Sequence, residues 1–530
     1  MIKIDFEHTG VSALIKDYLK QKEVLKPFYS LFPTEENYAI QADKKLKEYQ
    51  HRDVLHSVLS QQMDRLELSE KQQENLALLK DSNTATVTTG HQLNLLTGPL
   101  YFIYKILHVV KICEDLNQKD SKINYVPIYW MATEDHDFDE INHFYDYRGK
   151  VEYNAENGGF VGDISTKSTE ESLQKFIDSF GDSAFENKLK EIIQTAYFQQ
   201  HDLATATRIL VHELLGDYGI LILDANDAEL KKCMIPYFEK ELFNNEAQNF
   251  VQQTNEALSS YKNQAYAREI NLFYLENNQR ERIEKTAHGF TLVDSLKEFS
   301  PEEFKQELHS HPEKFSPNVI LRPMYQEVIL PNVAYIGGGG EIAYWLQLKS
   351  AFENYGILFP MLVVRNSMLL VPNAYKHKAE KYDLLSEKMF VTASSFKNKF
   401  TEHQSDLFKE LEDVKLSLEK NFESLEELAE KTTSSFGSMV EAQMKKQMKG
   451  YDSMHKRLLK AEKKRFETEI KKIDEVYDFF FPRNNWQERV INFSEFYTKN
   501  GQDLFSKIYD GLDAFNSSFN IVILDSIAKK

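Results

Sequence analysis

Hydrophobic and polar positions along the chain change texture three times. Over residues 1–80 apolar side chains recur at helical spacing among many charges, which predicts helices packed on a core. At ATVTTG the pattern becomes a continuous β-branched run, and from there to about residue 373 strand-like and helix-like stretches alternate. ATVTTG, YVPIYWMAT, GILILDA (219–225), INLFYLE (270–276), FTLVD (290–294), VAYIGGGG (333–340) and LVVRNSMLLV (362–371) are the predicted strands. Strands that alternate with helices predict a parallel sheet covered on both faces, so residues 81–373 form the α/β core. Gly, Ser and Thr clusters break this rhythm near 145–205, and 225–315 reads as a second insertion.

Residues 374–481 contain no proline and a dense mixture of Lys, Glu and apolar residues. Leu407, Leu411, Val414, Leu418, Leu425 and Leu428 fall on steps of three and four, a heptad seam with Asn421 at one apolar position. After TTSSFGS (432–438) a second run presents Val440, Met444, Met448, Tyr451, Met454 and Leu458. The prediction is an antiparallel helical hairpin, either self-packed or dimerising through the seam. Residues 482–530 regain aromatic and turn residues and are expected to return to the core.

Composition narrows the function. With 530 residues, two or three domains are expected. A formal net charge of -18 argues against a nucleic-acid footprint. No apolar run approaches the ~18 residues of a membrane span, and MIKIDFEHTG has no signal-peptide pattern. A cytoplasmic enzyme is expected, with Cys113 and Cys233 as reduced, buried thiols.

Chemistry concentrates where strands end, the usual ligand edge of an open α/β sheet. At the first end Gly90, His91 and Gln92 precede Asn94, Thr97, Gly98, Tyr101 and Lys105; a helix starting after Gly90 would offer free N–H groups to a phosphate or carboxylate. At the second, Glu134, Asp135, Asp137, Asp139 and Glu140 place five carboxylates in seven residues, with His136, Asn142 and His143 beside them. Such density needs cations, donors or solvent. A carboxylate edge gripping an ammonium group, with His136 as general base, is one reading; a metal site is another, although His136 and His143 have no HExxH-type spacing. At the third, Gly337–Gly340 and Glu341 open a helix, where glycine lets a ligand approach the backbone and Glu341 could simply cap. Arg322 and Arg365 follow apolar runs read as strands, and either could pair with an anion.

In this order, TTGHQLNLLTGPLYFIYK (88–105), VPIYWMATEDHDFDEINH (126–143), FSPNVILRPMYQEVILPNVAYIGGGGEIAYWLQL (315–348) and WQERVINF (486–493) resemble the bacillithiol biosynthesis cysteine-adding enzymes, the BshC family. The resemblance spans nearly the whole chain. It implies a Rossmann-like core akin to class I aminoacyl-tRNA synthetases, connecting-peptide insertions and a coiled coil that mediates homodimers. It also implies a ligase that adds L-cysteine to glucosaminyl-malate to form bacillithiol. Because the cysteine carboxylate needs activation, ATP with Mg²⁺ is the working expectation for the activator, and no tightly bound metal is expected. The chain departs from the family pattern at His91, where the family has glutamine, and HIGH and KMSKS signatures are not legible. The catalytic residues expected on this reading are His91, Asp135, His136 and Asp137. Substrate and nucleotide contacts are expected from Gly90, Gln92, Asn94, Thr97, Gly98, Tyr101, Lys105, Glu140, Asn142, Arg322, Gly338, Gly340, Glu341 and Arg365. Two alternatives are a metal-dependent hydrolase built on the acidic cluster and a non-catalytic coiled-coil scaffold.

Overall fold

A computed structural model describes residues 1–119, 122–155, 159–277 and 279–524, which form two compact units, one from 1–371 with 485–524 and one from 372–484. The first unit is organised by a five-stranded sheet of β1 (Thr84–His91), β2 (Asn124–Met131), β3 (Leu221–Asp224), β4 (Asn332–Gly337) and β5 (Met361–Val364). Its order is β5-β4-β1-β2-β3, and every neighbouring pair is parallel. This is the 3-2-1-4-5 arrangement of Rossmann-like sheets, with its topological switch between β1 and β4.

Threonine tolerates the centre of this sheet because each hydroxyl finds an acceptor. Thr88 Oγ1 donates to Asn332 Oδ1 (2.9 Å) and Thr89 Oγ1 to the Ile336 carbonyl (2.8 Å), both on β4. Buried hydroxyls left unpaired would each cost ~1–3 kcal/mol. Helix α1 (Tyr101–Lys119) packs Val109, Ile112 and Cys113 into a core with Ala85, Val87, Tyr125, Val333 and Ile336. Cys113 is buried as expected, whereas Cys233 is partly exposed at the end of a short helix; both are free thiols.

Three expectations need correction. The runs at 270–276 and 290–294 do not extend the parallel sheet: Leu272–Glu276 and Gly289–Leu292 belong to a separate antiparallel sheet between β3 and β4. The two-residue link at 287–288 permits only a hairpin, since a parallel crossover needs a dozen residues or more. The run 362–371 is two strands: after β5, Arg365 and Asn366 are anchored sideways, and Ser367–Pro372 pairs in another sheet with Phe519–Leu524, which in turn pairs with Ile2–Ile4. Finally, no helix starts directly after Gly90. Strand β1 continues to His91, and residues 93–100 form a loop with Leu96, Thr97 and Gly98 at φ 48°, 67° and 64°. A Cβ on Gly98 would come within 2.7 Å of Asn94 Cβ, so glycine is required there.

In the second unit, Leu407–Ala429 (α2) and Ser434–Arg465 (α3) pack as a helical hairpin, and α3 begins inside the stretch read as a break. Phe408, Phe422, Val440 and Tyr451 are its buried contacts. The predicted seam is only partly used: Leu407, Val414, Leu425, Leu428 and Met454 are exposed. Aromatic residues at 408, 422 and 451 fill the space between the arms better than the aliphatic series, which is turned outward. Among the described residues, no helix is long and apolar enough to cross a membrane.

Candidate active site

A cavity of about 610 Å³ opens at the carboxyl ends of β1, β2 and β4, over the topological switch. It is lined by Gly90, His91, Gln92, Tyr101, Lys105, Asp135, His136, Glu140, Arg322, Gly338, Gly340, Glu341 and Arg365 from the expected set. Asp137, Asn94, Thr97, Gly98 and Asn142 do not line it. Asp137 instead caps the short helix Phe138–Ile141, accepting from Glu140 N (3.2 Å). Asn94 donates to the Glu140 carbonyl (2.8 Å), and Asn142 lies against His143, 2.8 Å from Nδ1. The carbonyls of Leu96 and Gly98 accept from Asn492 Nδ2 at 2.7 and 2.6 Å, so the Thr97–Gly98 turn is scaffold.

Two carboxylates of the acidic run, Glu134 and Asp135, are answered by specific partners. Glu134 pairs with the fully buried Lys231, which also donates to the Glu313 carbonyl (3.0 Å). Asp135 accepts from Gln92 Nε2 and from His136 N (2.7 Å). Burial alone would raise its carboxyl, but the hydrogen bonds from His136 and Gln92 and the nearby Arg280 hold it well below the ordinary range. Glu140 behaves oppositely: desolvation first, then the charges of Asp135 and Asp137, push its carboxyl up. Among the described residues no three His, Cys, Asp or Glu side chains form a group able to hold a metal ion.

His91 is a poor proton acceptor here. It is buried against Tyr101 and Phe102 with Nδ1 3.0 Å from the Gln92 carbonyl, and burial followed by the Lys105 charge lowers its pKa to about 3. His136 stands at the cavity edge with Nδ1 3.1 Å from Arg280 Nη1 and 3.4 Å from Asp135 Oδ1. Arg280 itself lies over Phe273 (3.8 Å to the ring centroid) and donates to the Pro317 carbonyl (3.2 Å).

Across the cavity, Glu341 does more than cap. It accepts from Gly338 N (2.9 Å), Tyr335 OH (2.6 Å) and Lys105 Nζ (2.9 and 3.0 Å). Burial opposes ionisation, yet the Lys105 charge and these donors lower its pKa to about 2. Lys105, committed to Glu341 and the Gly90 carbonyl, has no free reach to a phosphate. Burial lowers its own pKa, against the pull of Glu341.

Arg322 does not follow a strand. It opens the helix Arg322–Ile329, beside Gly90. Its guanidinium donates to Gln326 Oε1 (3.2 Å) and Tyr344 OH (3.1 Å) and lies over Tyr335, and among the described residues it has no carboxylate partner. Arg365 does follow β5, but both its Nη atoms are taken by Glu488 at 2.7 and 3.0 Å, which among the described residues leaves only Nε without a partner. Sequence reasoning missed Arg280, Tyr335, Tyr344 and Arg489 in the lining. Tyr335, Tyr344 and Arg489 lie inside motifs already singled out, whereas Arg280 sits in an unremarkable charged strand.

Fold and cavity together define an α/β protein of the Rossmann-like class with a cavity at its switch point. Residues 1–366 match the bacillithiol biosynthesis BshC N-terminal Rossmann-like domain, and residues 368–524 match the BshC C-terminal coiled-coil domain. The chain belongs to the BshC family. Relatives named "Putative cysteine ligase BshC" include proteins of Flavobacterium johnsoniae (43% identical, 98% of this chain and 99% of that one), Flavobacterium psychrophilum (43%, 98% of each) and Christiangramia forsetii (41%, 96% of each).

Proposed function

We propose that this protein is a cytoplasmic ligase that joins the carboxylate of L-cysteine to the amine of glucosaminyl-malate, the last step of bacillithiol synthesis. The observation that carries this reading is the pairing within one cavity of an acidic edge, Asp135 and Glu140, with a guanidinium, Arg322, that among the described residues makes no ion pair. Arg322 lies within the field of Glu341 but makes no ion pair with it, which leaves the guanidinium able to take a carboxylate or phosphate of the ligand. Ionised Asp135 suits an ammonium group. Glu140, whose carboxyl is raised, suits proton acceptance from the attacking amine better than His91 or the Arg280-flanked His136.

Amide formation from free ions is uphill, so the cysteine carboxylate needs activation, for which ATP as co-substrate is the economical choice. The carboxylate displaces pyrophosphate from ATP, the amine nitrogen then attacks the acyl carbon, AMP leaves, and one proton passes to Glu140. The exposed stripe Leu407, Val414, Leu425 and Leu428 supports a homodimer through the coiled coil.

Incubation of the purified protein with ATP, cysteine and glucosaminyl-malate should yield bacillithiol by mass spectrometry. Asp135→Asn and Glu140→Gln should each lower kcat/KM by about 10²-fold or more. Absence of product with all three substrates, or full activity in both cavity variants, would overturn the reading.

A further inference from the structure

Behind the glycine loop lies a second cavity of about 340 Å³, lined among others by Val11, Ser12, Gln264, Asn485 and Trp486. It shares Gly338, Gly339, Gly340, Arg365 and Arg489 with the main cavity, so one thin backbone wall and two arginines face both spaces. At Gly340 the wall borders open space, where a Cβ would meet nothing within 4 Å.

The WQER segment is built to aim Arg489 at this wall. Gln487 is buried and braces the strand Ser367–Pro372, accepting from Leu370 N (2.9 Å) and donating to the Leu370 carbonyl (3.1 Å). Glu488, fully buried, binds Arg365 through both oxygens and accepts from Met368 N (2.9 Å). These two side chains fix the single turn Gln487–Arg489, and Arg489 is left exposed, its guanidinium 5.8 Å from the Trp486 ring centroid. Among the described residues Arg489 has no ion-pair partner. Arg365 supplies an independent sign of a missing ligand: it is only 3% exposed, yet among the described residues its Nε has no hydrogen-bond partner, and it lies 3.8 Å from where a Cβ on Gly338 would stand. Buried donors are rarely left unpaired.

We propose that the second cavity is an anion subsite, in which Arg489 and Arg365 Nε take carboxylate or phosphate oxygens of a ligand whose remainder occupies the main cavity. It rests on the ligase reading only for the choice of ligands, which offers two sources for such an anion: the dicarboxylate of the malyl group and the phosphate chain of ATP.

The test is calorimetry on the full chain with L-malate in one arm and inorganic tripolyphosphate in the other, for wild type, Arg489→Ala and Val11→Trp. Val11 lines only the second cavity, so its substitution fills that space while leaving both arginines in place. One probe is expected to bind wild type and to weaken at least tenfold in both variants, and its identity names the source. Binding of neither probe, or binding unchanged in Arg489→Ala, overturns the subsite. Loss in Arg489→Ala but not in Val11→Trp places the anion on the main-cavity side and also overturns it. Thermal midpoints within a few degrees of wild type confirm folded variants, and a large fall in one leaves the other to decide. Bacillithiol formation separates the two readings. Product with Arg489-independent binding removes only the subsite; Arg489-dependent binding without product removes only the ligase.

Discussion

Removing Glu488 should damage the first unit more than any comparable surface change. Its carboxylate is fully buried, pairs with both terminal nitrogens of an arginine that is itself 4% exposed in its side chain, and accepts the Met368 amide. Glu488→Ala leaves the Arg365 guanidinium charged, desolvated and unpaired, and strips an acceptor from the strand that follows. Breaking one side of a buried pair costs ~3–5 kcal/mol. All three tryptophans, Trp130, Trp345 and Trp486, lie in the first unit, so tryptophan emission during urea unfolding reports that unit alone. With a urea slope of ~3 kcal/mol/M or more for a unit this large, the midpoint should fall by ~1 M or slightly more. The double variant Arg365→Met, Glu488→Leu should recover much of the loss, because replacing a buried pair by apolar groups of similar volume is often close to neutral. Single-variant losses below ~1 kcal/mol, or a double variant as poor as the summed singles, would refute this account of the segment.

Three further outcomes follow from the geometry. Arg322→Ala should lower kcat/KM by about 10- to 100-fold, the worth of one charge-assisted contact, while leaving thermal stability unchanged or higher; a marked fall in melting temperature would make Arg322 structural instead. Glu341 has a folded pKa of about 2 against 4.5 for the ordinary group. Its contribution, at most ~3 kcal/mol, is therefore complete above about pH 4.5 and lost as pH falls towards 2. The stability gap between wild type and Glu341→Gln, followed by tryptophan emission, should close over that window and stay constant above it. Val414→Glu combined with Leu425→Glu, both on the exposed stripe, should shift sedimentation towards the monomer without reducing helix content; an unchanged sedimentation coefficient removes the stripe from assembly.

Much of the fold was legible because the buried parallel strands are short runs, apolar in β2, β4 and β5 and β-branched in β1. The pattern could not say which sheet a strand joins. Leu272–Glu276 reads like any buried strand, and its antiparallel placement is set by tight hairpin links and by tertiary packing. The hairpin was visible but its buried face was not, since Phe408 and Phe422 outcompeted the leucine series for the interior. At the site, the three strand ends located the cavity well. What they hid was occupancy: Lys105, Arg365 and Glu134 look free in one dimension and are each committed to a partner distant in sequence. Conversely Arg489, three residues past an aromatic motif start, becomes informative only once Gln487 and Glu488 are seen pointing inward.

The strand Phe519–Leu524, which sits between Ile2–Ile4 and Ser367–Pro372, also dictates an order of assembly on the ribosome. Residues 372–484 are contiguous and can complete their helices while the remainder is still being translated. The first unit cannot close until its last strand emerges, after Glu488 and Asn492 have delivered their buried partners to Arg365, Leu96 and Gly98. Its nascent sheet must therefore wait, with apolar edges open, for contacts several hundred residues apart in sequence. Such long-range closure is slow, which makes this unit the step where chaperone demand and misfolding would concentrate.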